Sequence, residues 1–167
     1  AQYNFALMHG RGQGVPRNDA LMLHWLRRAA AGGLVRAQAQ LGRLLLSGNG
    51  GSAAIEEGVE WSRKAALQSD PQGQFQFAQA LQAGRGTTTD PVEAIEWFTR
   101  AANQGHAGAQ WALGLAFENG TGTPVLPGKA LAYYEDAARN DLPEALQRVI
   151  AAYRNGELGA AQDNSKA

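Results

Sequence analysis

Apolar residues recur along this chain at helical spacing inside short blocks, and the blocks themselves recur. Ala37, Leu41, Leu44 and Leu45 fall on one stripe of a helix, and the same four positions carry the stripe in other copies of the block. A second amphipathic stretch in each block carries one large aromatic, Trp25, Trp61, Trp97 or Tyr133. An alanine pair follows four residues after each: Ala29-Ala30, Ala65-Ala66, Ala101-Ala102 and Ala137-Ala138. Turn glycines keep the same 36-residue period, at Gly12, Gly48, Gly84, Gly120 and Gly156, and two residues on at Gly14, Gly50, Gly86 and Gly122. A fixed period of this length, held without insertions, predicts a solenoid of helix pairs.

The helix boundaries follow from caps and breakers. The first helix A is expected over about residues 2–11, with Asn18 capping helix B at 19–31 and Gly32-Gly33 ending it. The second pair is expected at 36–47 and 54–68, around the loop 47–52. Asp70 and Pro71 open helix A at 71–83. Asp90, Pro91 and Glu93 form a capping-box arrangement that starts the next helix B, which runs to Asn103 before Gly105. Helices at 107–119, 128–139 and 143–155 complete the series. Repeats therefore span 1–36, 37–72, 73–108 and 109–144, with a partial copy at 145–156. Leu158 stands where a second loop glycine is due, and the small, polar tail 157–167 is expected to fray.

A single pair cannot bury its apolar face, so stacking must complete the core. The small residue at Ala6, Gly42, Ala78 and Gly114 lets a neighbouring helix approach. The recurring aromatics are expected to plug the joints between helices.

Composition narrows the function classes. The 167 residues carry 15 basic and 15 acidic side chains, so a nucleic-acid partner is not expected. No cysteine is present, which excludes disulfides and thiolate metal sites. Apolar content is 44 %, but no apolar run reaches membrane-spanning length, so direct membrane insertion is not expected. The start lacks the basic and apolar regions of a signal peptide, and the chain opens in mid-repeat, so it reads as an excised fragment or a mature form. Arginine outnumbers lysine amid much alanine and glycine, a hint of a GC-rich bacterial gene.

Catalysis is not expected. His9, His24 and His106 occupy unrelated repeat positions, and no metal-protease, phosphate-loop or nucleophile-elbow motif occurs. The glycine pairs superficially suit nucleotides, but recurring at every turn they read as inter-helix turns with positive φ. No catalytic, cofactor-binding or metal-binding residue is assigned, and Asn119-Gly120-Thr121 is discounted as a chance sequon.

The repeats resemble the Sel-1-like repeat family, relatives of the tetratricopeptide repeats. The residues that carry the resemblance include Ala37, Leu41, Gly42, Gly48, Gly50, Trp61, Lys64, Ala65 and Ala66 in the second repeat. In the third they are Gly84, Gly86, Asp90, Ala94, Trp97, Arg100, Ala101, Ala102 and Gly105, continuing to Ala109. The fourth adds Leu113, Gly114, Gly120, Gly122, Lys129 and Ala130, and Tyr153 restores a tyrosine that Leu45 and His9 replace. The resemblance covers about residues 1–156. It implies an all-α, right-handed superhelix with a concave face lined by A helices. It also implies a scaffold or adaptor for other proteins, commonly in bacterial envelope or signalling assemblies, with periplasm or envelope slightly favoured. Cysteine-rich members linked to β-lactam binding or hydrolysis imply the alternative of a cell-wall hydrolase, which the missing cysteines disfavour.

The A-helix positions opposite the core stripe lie within about 40° of one another on the wheel and are expected to face that concave side. They supply Tyr3, Leu7, Arg43, Phe75, Gln79, Trp111, Leu115 and Glu118, with Arg36 beside them just before a helix start. Aromatics and arginines are the residue types that anchor partners. These nine residues are the expected contact set for a protein or peptide partner. Apolar ends of the array leave self-association as a further expectation.

Overall fold

The structure is a computed structural model and describes residues 1–48, 51–163 and 165. The described residues form helices α1 (Gln2–Arg11), α2 (Asp19–Ala31), α3 (Val35–Ser47), α4 (Gly51–Leu67), α5 (Pro71–Ala83), α6 (Pro91–Ala102), α7 (Ala107–Asn119), α8 (Pro127–Arg139) and α9 (Pro143–Asn155), and no strand. The fold is an all-α solenoid. Helix starts agree with the caps: Asn18 Oδ1 accepts from the Leu21 N–H at 2.9 Å, Asp70 Oδ1 from Gly73 at 2.7 Å, and Asp90 Oδ1 from Glu93 at 2.9 Å.

Four local expectations need correction. Helix α4 begins at Gly51, three residues ahead of Ala54. Gly48 accordingly sits at φ −85°, outside the left-handed region its counterparts occupy, while Gly51 takes φ 76°. Gly50 lies outside the described residues. Glu93 does not close a capping box: its carboxylate turns forward to accept from the Trp97 indole N–H at 3.1 Å, as Glu57 does from Trp61 at 3.2 Å. Arg36 lies in the first turn of α3 rather than before it.

The helices gather into two compact units, residues 1–77 with 85–87, and residues 78–84 with 88–167. In the first, Ala6, Leu26, Ala29, Ala30, Ala37, Leu41 and Leu45 form a buried cluster. In the second, Phe98, Leu113 and Tyr134 are wholly buried among Ala101, Ala109, Ala130, Ala137 and Ala145. The most deeply buried residue at each joint is the one after the recurring aromatic: Leu26, Ser62, Phe98 and Tyr134 are all within 1 % of full burial. Trp97 is buried, Trp25 and Trp61 are half-buried and packed against the core cluster of the first unit, and Tyr133 is half-buried. Cations one turn on shield the indoles, with Arg28 over Trp25, Lys64 over Trp61 and Arg100 over Trp97 at 5.2, 4.3 and 4.3 Å. A helix surface curves away within one residue, so the ring at the rim meets solvent while its successor points at the neighbouring helix.

Buried amides stitch the A helices to their neighbours. Gln38 and Gln110, 5 % and 6 % exposed, donate to the carbonyls of Ala30 and Ala102 eight residues back. Each amide oxygen accepts from a side chain thirty residues on, Gln68 at 2.7 Å and Asn140 at 2.9 Å. Buried polar groups must be paired, so these glutamines fix one register of helix on helix.

The chain turns back after α9. Leu158 adopts φ 55°, as a loop glycine would, and the Asp163 N–H donates to the Tyr153 carbonyl at 2.9 Å. The Asn18 N–H closes the first loop in a similar way on the His9 carbonyl.

Candidate partner-binding surface

In the first unit, α1, α2 and α3 leave a cleft of about 520 Å³ at their loop ends. Leu7, Met22, Leu23 and Leu44 give it an apolar floor, and Arg11, Arg17 and Arg43 stand around it. The floor residues are half-buried, since they are the outer members of stripes whose inner members, Leu26, Leu41 and Leu45, fill the core. The Tyr3 hydroxyl donates to Gln40 Oε1 at 2.8 Å and so sets the orientation of that lining amide. Arg17 and Asp19 form a two-pronged pair at 3.0 and 3.1 Å. That hydrogen bond holds the Asp19 carboxyl below its ordinary range and raises Arg17.

Of the nine residues expected to contact a partner, Leu7 and Arg43 line this cleft and Tyr3 supports it through Gln40. Arg36 is exposed on the same unit and Phe75 is half-buried, and neither lines the cleft. Gln79, Trp111, Leu115 and Glu118 belong to the second unit. There Gln79 and Leu115 are exposed, and the half-buried Trp111 ring lies 4.9 Å from that of Tyr134. Glu118 has both carboxylate oxygens engaged, one by the Tyr134 hydroxyl and one by Arg148, each at 2.6 Å. Arg148 and then Tyr134 hold the Glu118 carboxyl below its ordinary range against the opposing effect of burial, and burial with Glu118 pushes the Tyr134 phenol well up. The Glu118 side chain therefore braces α7 against α8 and α9.

Arg11, Arg17, Met22 and Leu23 were not singled out by sequence. They sit at the ends of α1 and α2 and in the loop between, where the face rule for A helices says nothing. Two basic residues bracketing the first loop were the available signal. Among the described residues no group of three His, Cys, Asp or Glu side chains could hold a metal ion, and no helix is long and apolar enough to cross a membrane.

The family model for the Sel1 repeat matches residues 1–34, 35–70, 71–106 and 107–142, a register two residues ahead of the one read from the glycines. Among solved structures, the chain is similar to c5321, a protective antigen present in uropathogenic Escherichia coli strains that displays an SLR fold. The TM-score is 0.90 at 31 % identity, over 99 % of this chain and 35 % of that one. A Sel1 repeat protein from Oxalobacter formigenes superposes with a TM-score of 0.88 at 30 % identity, covering 99 % of this chain and 65 % of that one. A sel1 repeat protein from Klebsiella pneumoniae shares the fold with a TM-score of 0.64 at 22 % identity, over 99 % of this chain and 80 % of that one. The chain thus spans only part of each of these proteins. No curated protein sequence matches it significantly. Four consecutive matches in one register, on helices that superpose throughout, show that this chain belongs to the Sel1 repeat family.

Proposed function

We propose that the chain is a non-catalytic scaffold and that the cleft of its first unit is where a partner protein docks. Sel1 repeat proteins in general serve as protein-interaction scaffolds. The observation that supports the site is the cleft itself: about 520 Å³, apolar below and polar at the edge, within the usual size range of a binding pocket. Leu7 and Arg43 project into it from two successive A helices, which is how a solenoid presents a surface longer than any one repeat. Arg36 and Phe75 are proposed as further contacts on the first unit, and Gln79, Trp111 and Leu115 as separate contacts on the second. A bacterial envelope or signalling assembly is the setting we favour, since one structural neighbour is described as a protective antigen.

Panning a random peptide library on the purified chain tests this reading. Selected peptides should compete with one another and lose binding in Leu7→Asn, with helical circular dichroism and melting temperature kept. Peptides that bind Leu7→Asn and Arg43→Glu as well as the parent would place the docking site elsewhere. Phe75→Ala and Trp111→Ala, assayed separately on the same peptides, test whether either unit's further contacts take part.

A further inference from the structure

We infer that this cleft recognises an acidic segment of its partner, in which a leucine-sized apolar side chain stands between two carboxylates. The inference rests on the scaffold reading above and names the ligand chemistry of that site.

The unsatisfied side-chain groups at the mouth are donors. Gln40 has given its amide oxygen to the Tyr3 hydroxyl, which leaves its amide nitrogen for a ligand. Asp19 is the one carboxylate in the lining, and Arg17 takes both its oxygens. Arg11 and Arg43 are exposed and make no ion pair among the described residues. Arg27, on the same unit, pairs with Glu57 at 2.8 Å, so an arginine within reach of a carboxylate does close on it here. The chain as a whole carries 15 basic and 15 acidic residues, so three guanidiniums against one carboxylate is a local concentration. A guanidinium is a fork of donors shaped for a carboxylate, and it is weakly enough hydrated to be used at an interface.

The same cleft has the apolar floor of Leu7, Met22, Leu23 and Leu44. A floor of this kind takes an aliphatic side chain, and the lining arginines Arg11 on α1 and Arg43 on α3 are each available to a carboxylate next to that side chain in the ligand. A ligand with only charge would leave the floor wet, and one with only apolar groups would leave the donors facing its backbone.

The test is fluorescence anisotropy on the intact chain with three labelled peptides. The first has blocked ends and one leucine between two aspartates, the second replaces the aspartates by asparagines, and the third has no acidic side chain but ends in a free leucine carboxylate. The aspartate peptide should bind about tenfold more tightly than the asparagine one, as two charge-assisted bonds imply, and the gap should close as salt rises. The exposed-site variants Arg11→Glu and Arg43→Glu, which leave the core untouched, should each weaken the aspartate peptide and favour a lysine counterpart. Equal binding of the first two peptides, with both lost in Leu7→Asn, would overturn the acidic preference while keeping the cleft as a docking site. Preference for the third peptide would assign the arginines to a chain terminus and overturn the inference as stated. Failure of all three to bind overturns it, and an empty library selection alongside would remove the scaffold site as well.

Discussion

Gly42 and Gly114 occupy the same place in their repeats, yet they face opposite extremes of side-chain size. In the first unit Gly42 meets Ser62, and a methyl group added there would also come within 3.0 Å of the Gly58 carbonyl and the Ser62 amide nitrogen. Two backbones approach each other, and the glycine is needed because nothing opposite can move. In the second unit Gly114 meets the ring of Tyr134, whose atoms are the three nearest to a methyl group added there. The glycine there makes room for a large side chain that is wholly buried. Ala6 with Leu26 and Ala78 with Phe98 are buried residues at the two intermediate settings of the same register. A repeat therefore keeps the place of the joint while leaving open how the joint is filled: backbone meets backbone at Gly42, and a buried ring fills the space at Gly114.

The strongest way to break this comparison is to empty the joints. Phe98→Ala and Tyr134→Ala should each lower stability by about 3–5 kcal/mol, whereas Trp61→Ala, whose ring is only partly buried, should cost less, about 1–2 kcal/mol. Urea melts of the three variants decide it, and a Trp61 loss as large as the Tyr134 loss would put the recurring aromatic on a par with the residue after it. Filling the joints comes next. Gly42→Ala and Gly114→Ala should each cost about 1–3 kcal/mol from overpacking. Only the second should be rescued from its partner's side, by Tyr134→Leu, since the first collides with backbone. Rescue of Gly42→Ala by Ser62→Gly to the parental midpoint would show that side chain, not backbone, sets that contact.

A smaller difference comes from charge. Tyr134 is tied to Glu118 and Arg148, while Ser62 bonds only to the Gly58 carbonyl and Gln76. The folded state holds the Glu118 carboxyl low, so its contribution is whole above the unfolded value of about 4.3 and is lost as pH falls through the folded value. Glu118→Gln should cost about 1–2 kcal/mol at neutral pH, with the gap from the parent closing in acid. A gap that persists in strong acid would mean the loss is one of packing. The smallest effect should be favourable. Residues 33, 69, 105 and 141 all take positive φ, but the second and fourth are Ser69 and Asp141 at 63° and 61°. Ser69→Gly and Asp141→Gly should each raise the midpoint by the equivalent of about 1 kcal/mol, and no gain would mean their side chains offset the backbone strain.

Helix order and most boundaries were legible in sequence because they depend on local features. Asn18, Asp70 and Asp90 cap within three residues of themselves, and the glycine turns need no partner. The places where reading failed are those where the deciding group lies a repeat away. Gln38 looks like any surface glutamine until Gln68, thirty residues on, is seen to cover it. Trp61 looks like a fully buried residue until Lys64 and Glu57 are found at its face and its N–H. The proposed cleft was half legible: Leu7 and Arg43 follow from the A-helix face, while Arg11, Arg17 and Met22 come from helix ends that no periodicity marks.

The chain's own order of residues settled that helix pairs recur every 36 positions, where each begins, and which side of each is apolar, since caps, breakers and spacing act over a few residues. Packing alone decided that Leu26, Ser62, Phe98 and Tyr134 are buried more deeply than their aromatic predecessors, and that Arg11 and Arg43 line one cleft with an apolar floor. Burial and convergence are properties of surfaces brought together from distant parts of the chain, and only the folded arrangement of helix against helix defines them.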